Sequence, residues 1–365
     1  MTMKRLGISV YLENAPLADS LNYITLAHSY GFSRIFTCLI SAEPTGEFFG
    51  QFKTFLAHAK ALNMEVIADV SPEVLKSLNI HWKDLRPFKE LGLSGIRLDM
   101  GFSGMEESFM SFDPAQLLIE LNASNGNRYL ENILSYCPNQ ENIIGCHNFY
   151  PHPYTGLSRA HFLKTSEQFK SLGIRTAAFV SSQAATFGPW PISEGLPTLE
   201  EHRHLPIDVQ AKDLFNTGLI DDVIIGNSFA SEAELKALSE VNPYKLELSV
   251  ELLADLPEIE KKIIFQEPHF NRGDVSDYLI RSTQSRVKYK DYSFKLTNPQ
   301  SIIKAGDIII ESESYKRYSG ELQLALKEMT NSGKSSVVAR VVPEELFLLD
   351  KIKPWQKFGF IAQRK

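Results

Sequence analysis

Along the first 240 or so positions, apolar residues recur in two alternating rhythms. Short, mostly apolar runs read as buried strands: RLGISVY (5–11), RIFTCLI (34–40), EVIADV (65–70), GIRLD (95–99), LLIELN (117–122), NIIGCHNF (142–149), RTAAFVS (175–181) and DDVIIGN (221–227). Between them lie stretches with helical spacing, among them LADSLNYITLAHSYG, EFFGQFKTFLAHAKAL, NRYLENILSY, SRAHFLKTSEQFKSLG and SEAELKALSEV. In SPEVLKSL, Ser71 is placed to cap a helix and Pro72 fits its first turn. In TLEEHR, Thr198 and Glu201 fit a capping box and mark a further helix start. Eight strand–helix units imply a parallel sheet with crossover helices, and their number favours a closed (β/α)8 TIM barrel over an open sheet. No GxGxxG turn follows the first strand, which argues against a dinucleotide fold.

After about residue 243 the rhythm changes. YKLELSVELL, KIIFQEP, YLIRST, DIIIESE, SSVVARVV and FGFIAQ read as short strands, while GELQLALKEM fits either a helix or a strand. The chain is thus expected to divide into an α/β barrel, residues 1–242, and a small β-rich domain, residues 243–365, with no low-complexity linker between them.

Charge and cysteine usage narrow the class. A net charge of -6 without a strongly basic run argues against a nucleic-acid partner. Cys38, Cys137 and Cys146 are scattered, fit neither a disulfide framework nor a zinc site, and suit a reducing compartment. MTMKRLGISVYLE lacks the apolar run of a signal peptide, and no run is long enough to span a bilayer, so the expected location is cytoplasmic with no membrane partner.

In a (β/α)8 barrel, chemistry belongs at the C-terminal ends of the strands. Here those ends carry Tyr11, Asp69, Asp99, Glu120, Asn122, His147, Asn148, Tyr150 and Asn227. Asp99 is the leading candidate for a catalytic carboxylate, because it is strand-anchored and the glycines beside it, Gly101 and Gly104, leave room for a substrate. Asp69 and Glu120 compete for the second catalytic place. Asp69 also suits a turn or the start of the following helix. Glu120 shares a strand face with Asn122, and Arg97 with Asp99, so an Arg97–Glu120 ion pair inside the barrel is the structural alternative. Glu13 and Glu43 fit solvated loops. His147 has no second histidine at ligand spacing, so no metal is expected. The long Gly- and Pro-rich loop after the seventh strand offers Phe187 and Trp190 either as a sugar-stacking face or as anchors of the loop itself.

GISVYLEN, ADVSPEVL, GIRLDMGFSG, ELNASN, CHNFYPHPYTGLS, GPWPISEGLPTLEEHR and IDDVIIGNSFAS, with RGDVSDYLIRST and AGDIIIESESYKRYSGELQLAL further on, resemble the bacterial 6-phospho-N-acetylmuramidase family over nearly the whole chain. The resemblance implies a barrel followed by a cyclophilin-like β-domain. It also implies hydrolysis of the β-1,4 bond of N-acetylmuramic acid 6-phosphate–N-acetylglucosamine, a cytoplasmic step of cell-wall recycling that needs no cofactor. The family's rim motifs fall on Asp69, Asp99, Asn122, His147, Asn148 and Tyr150. A 6-phosphate needs a cationic or amide-rich cradle. Arg272, Arg281 and the backbone amides of IGNSFAS are the sequence's candidates. A sugar-phosphate isomerase or lyase, or a sensor that binds the sugar without turnover, would use the same rim. Oligomeric state and stereochemistry stay open at this point.

Overall fold

The computed structural model describes residues 3–40, 46–189, 194–253 and 255–363. Glu43 and Trp190 lie outside the described residues. The chain divides into two compact units, Met1–Val241 and Asn242–Lys365.

The first unit is the closed parallel barrel that the alternation predicts. Its elements run β1 (Arg5–Ser9), α1 (Leu17–Ser29), β2 (Arg34–Cys38), α2 (Gly46–Ala61), β3 (Glu65–Val70), α3 (Pro72–Ser77), α4 (Arg86–Leu91), β4 (Gly95–Leu98), α5 (Met105–Met110), β5 (Leu118–Asn122), α6 (Tyr129–Ser135), β6 (Ile143–Cys146), α7 (Arg159–Lys170), β7 (Arg175–Val180), α8 (Ile207–Asn216), β8 (Asp222–Ile225) and α9 (Glu232–Ser239). The sheet closes where β1 pairs with β8, Arg5 opposite Asp222 and Gly7 opposite Ile224. Outward-facing strand residues such as Ile8, Ile35, Val66, Ile96 and Ile119 join the buried faces of the helices in one large core. Inward-facing Phe36, Phe179 and Ile224 fill the barrel itself.

Local signals set several boundaries. Ser71 caps α3, its hydroxyl accepting from the Val74 amide at 3.3 Å, with Pro72 opening the helix. Thr198 and Glu201 do not form the expected capping box: Glu200–His202 is a single 3-10 turn, and α8 starts only after Pro206. Instead, the buried Thr198 hydroxyl accepts from the Phe179 amide and donates to the Asn148 carbonyl, both at 2.9 Å, stitching the end of β7 to the loop after β6.

The second unit is built on a seven-stranded mixed sheet. Its elements are β9 (Leu246–Leu252), α10 (Glu258–Phe265), β10 (His269–Phe270), β11 (Leu279–Ser282), α11 (Gln284–Lys288), β12 (Ile302–Ile303), β13 (Asp307–Glu311), β14 (Leu322–Ala325), β15 (Met329–Thr330), β16 (Ser335–Val341) and β17 (Lys357–Ala362). In the main sheet only β9 and β17 pair in parallel. The KIIFQEP segment is helical over most of its length rather than a strand. Pro257 precedes α10, acidic Glu258 and Glu260 occupy its first turn, and Ile263 and Ile264 bury one face. GELQLALKEM resolves into β14 and β15.

Candidate active site

The rim carboxylates converge on one cation. Asp69 stands near the end of β3, Arg97 is the penultimate residue of β4, and Asp99 follows β4 by one residue. Asp69, Arg97 and Glu120 occupy paired positions on three adjacent strands, so all three face the same way. The long guanidinium of Arg97 then extends toward the rim. Its Nη1 donates to Asp69 Oδ1 at 2.8 Å and to Asp99 Oδ1 at 3.1 Å, and its Nη2 donates to the Asn148 side-chain carbonyl. Arg97 and Asp69 are almost wholly enclosed, whereas 39% of the Asp99 side chain meets solvent. Burial pushes the Asp69 carboxyl up to about 7, the Arg97 charge opposes that shift and the neighbouring Asp99 adds to it. A carboxyl in that range holds a proton near neutral pH and gives it up readily, the property a general acid needs.

These groups line a cleft of about 120 Å³, walled on its other side by Phe149, Pro151 and Phe179. Phe149 and Phe179 meet edge to face at 5.1 Å and both rest on Phe36. The cleft thus combines two carboxylates with an apolar aromatic wall. A larger groove of about 360 Å³ opens between the end of β2, the start of α2 and α3, lined by Leu39, Ile40, Phe48, Phe49 and Val74 among others. Among the described residues lining it, Glu73 is the one ionisable group.

The Arg97–Glu120 pair, the structural alternative for Glu120, does not form. Glu120 is fully enclosed and bonds Arg34 instead. Arg34 in turn donates to Asp222 at 2.6 Å, and Asp222 also holds Arg5 at 3.0 Å and Arg175 at 2.7 Å. The two acidic neighbours at the rim draw Arg97 toward them, and Arg34 draws Glu120 away from the cleft. Glu120 is therefore part of an ion network in the barrel interior. The glycines after β4 also serve differently than expected. A Cβ on Gly101 would overlap the Tyr129 hydroxyl, and Gly104 takes a φ of 100° to open α5, its amide donating to Glu107 at 2.7 Å. They pack the loop rather than clear a path.

Several other strand-end residues turn inward to hold loops. Tyr11 is buried and donates to the Gly226 carbonyl at 2.6 Å. Asn122 is also buried, and its side-chain oxygen accepts from the Ser124 amide at 2.9 Å. Asn227 pins the β7 and β8 loops together, exchanging bonds of 2.8 and 2.9 Å with the Ser182 backbone. His147 is fully enclosed against Phe162, between Ser124 at 3.3 Å and Ser166 at 2.8 Å, and burial lowers its imidazole to about 3, so it is neutral. Asn148 remains at the cleft. Asn148 shares Arg97 with the carboxylates, while burial raises the half-buried Tyr150 phenol above its usual range, Ser124 and Arg97 opposing that shift and Asp99 adding to it. Ser124 drew no attention in the sequence. Its hydroxyl accepts from the Asn148 amide at 2.8 Å and so links His147 to the site.

The expected anion cradles are engaged by the protein's own groups. The carboxylate of Glu234 takes the Ser231 amide of the expected IGNSFAS cradle at 2.9 Å, together with the Gln183 amide at 2.7 Å. In the second unit Arg272 grips Asp274 through two bonds of 2.6 Å, and Arg281 pairs with Glu321 at 2.9 Å. Phe187 is tied down by antiparallel bonds to Ser228 and an edge contact with Phe229, the anchoring alternative. Among the described residues, Glu201, His202 and Asp213 come close enough to share a cation. Arg159 already supplies that charge, its guanidinium bonding both Glu201 and Asp213.

Two family models match the chain: 6-phospho-N-acetylmuramidase, N-terminal, over residues 6–240, and 6-phospho-N-acetylmuramidase, C-terminal, over residues 246–361. A solved structure of an uncharacterized B. cereus protein is 48% identical, covers 98% of this chain and 99% of its own, and superposes with a TM-score of 0.91. A conserved Enterococcus faecalis protein of unknown function is 28% identical over 98% of this chain and 96% of its own, with a TM-score of 0.72. The comparison with curated proteins finds no match.

Proposed function

The chain belongs to the 6-phospho-N-acetylmuramidase family, and from that premise we propose that Asp69 and Asp99 carry out its glycosidic hydrolysis in the cleft that Arg97 organises. The protein is a glycosidase, and its substrate is a phosphorylated amino sugar joined by a β-1,4 bond to N-acetylglucosamine. The observation that carries the site assignment is the convergence of two carboxylates on one buried guanidinium beside an aromatic wall. Glycoside hydrolysis needs an acid at the leaving oxygen and a second carboxylate at the anomeric carbon. Asp69, enclosed and pushed up to about 7, is the acid. Asp99, open to the cleft, works at the anomeric carbon. Arg97 holds both carboxylates in register, and Asn148 fixes Arg97. Phe149 and Phe179 offer a face to the sugar ring. No helix among the described residues is long and apolar enough to cross a membrane. A cytoplasmic step in the reuse of cell-wall fragments is the setting we propose.

This assignment fixes a pH dependence. Asp69 must be protonated to act, so kcat/KM should fall as pH rises through a group near 7. A profile that stays flat from about pH 6 to about pH 9 would remove Asp69 from the acid role.

The reading is tested by the products. Purified protein should split the phosphorylated disaccharide into a sugar phosphate and N-acetylglucosamine. Two charge-assisted hydrogen bonds to the phosphate, at about 1.5–3 kcal/mol each, would favour it over the unphosphorylated disaccharide by about 10²–10⁴ in kcat/KM. Equal rates on the two would reject the phosphate requirement. Binding without products would favour a sensor instead.

A further inference from the structure

Resting on the assignment of Asp69 and Asp99, we infer that hydrolysis retains the configuration of the anomeric carbon, through two displacements rather than one. The argument is the width of the carboxylate pair. A single Arg97 atom, Nη1, lies 2.8 Å from Asp69 Oδ1 and 3.1 Å from Asp99 Oδ1. The two distances add to 5.9 Å, the greatest separation those two oxygens can have. An inverting enzyme seats a water between the sugar and its base and spaces its carboxyl groups about 6.5–9.5 Å apart, whereas a retaining pair stands about 5–5.5 Å apart. The shared guanidinium ties this pair to the narrower class, because widening the gap would break one of two ion pairs on an enclosed arginine.

The second distinction is the environment of each carboxyl. Asp69 is enclosed at the base of the cleft and Asp99 stands open at its mouth, so one pair can divide acid from nucleophile without a third ionisable group. In the first displacement an Asp99 oxygen bonds to the anomeric carbon as the bond to the leaving oxygen breaks, and the Asp69 proton moves to that oxygen. N-acetylglucosamine then departs. In the second, water attacks the same carbon, its proton passes to Asp69, and the bond to Asp99 breaks. Both carboxyl groups return to their starting protonation, and one water is consumed. Arg97 contacts both throughout and compensates whichever is charged.

Proton NMR of the reaction in progress reads the outcome directly. With the β-linked phosphorylated disaccharide, the β-anomer of the sugar phosphate should dominate the first spectra and then decay toward the mutarotation equilibrium. The α-anomer appearing first would overturn the inference while leaving the enzyme's assignment intact. No hydrolysis at all would instead sink the functional reading on which it rests. As an independent check, Asp69→Gly can be assayed with azide on a substrate bearing an activated leaving group. A β-glycosyl azide would support a double displacement with Asp69 as the displaced acid–base, and an α-azide would contradict it.

Discussion

Asp99→Asn and Asp69→Asn should each lower kcat/KM by about 10²–10⁴, the usual cost of losing a positioned acid or base. Each substitution keeps the shape of the side chain and its contact with Arg97, so the thermal midpoint should change far less than the rate. The two losses should not add, because the carboxylates act on the same bond. A double variant no slower than the worse single variant would agree with joint action. Activity within about tenfold of the parent for either single variant would take that carboxylate out of the chemistry. The variants should also separate by pH. Asp69→Asn should abolish the basic limb near 7 in whatever activity survives, because the group that titrates there is gone. Asp99→Asn removes one of the influences that raise Asp69, so its residual activity should show the limb at lower pH.

The other large effect concerns stability. Arg34 is 1% exposed at its side chain and is the cation bonded to Glu120 inside the barrel. Asp222 would keep Arg5 and Arg175 if Arg34 were lost, but Glu120 would be left as a buried carboxylate without its cation. Arg34→Met should therefore cost about 3–5 kcal/mol in chemical denaturation, the range for stranding a buried charge. Adding Glu120→Gln should restore part of that loss, since the double change strands no charge. A cost below about 1 kcal/mol for Arg34→Met would mean that the network is not the constraint described here. Glu120→Gln alone should keep its activity, because Glu120 does not line the cleft.

Much of this architecture is legible in the chain, and the misreadings inside the barrel share a cause. Eight strands separated by helices with clear spacing leave little choice of fold, and strand ends such as Asp69 and Asp99 follow from that fold alone. Parity along a strand tells which residues face inward, and it places Arg97 and Glu120 correctly on the inner face. It does not tell whether a long side chain runs up the barrel or down. That choice depends on partners from other strands, here Asp69 and Asp99 for Arg97 and Arg34 for Glu120. Tyr11, His147 and Asn227 illustrate the same limit: a polar strand end can face a ligand or satisfy a neighbouring loop, and these three satisfy loops or buried hydroxyls. The KIIF run, which reads as a strand in the sequence, forms part of α10 for another reason. Three consecutive apolar residues, Ile263, Ile264 and Phe265, fit a strand or one side of a short helix equally, and the deciding feature, Pro257 followed by acidic residues, lies several positions upstream.

The most direct measurement is a crystal structure of the Asp69→Asn protein with the intact phosphorylated disaccharide. The account predicts the glycosidic oxygen within about 3 Å of the side chain at position 69, with the anomeric carbon facing Asp99 and the sugar ring against Phe149 and Phe179. A disaccharide seated away from Arg97, for example in the apolar groove beside Phe48 and Phe49, would contradict it.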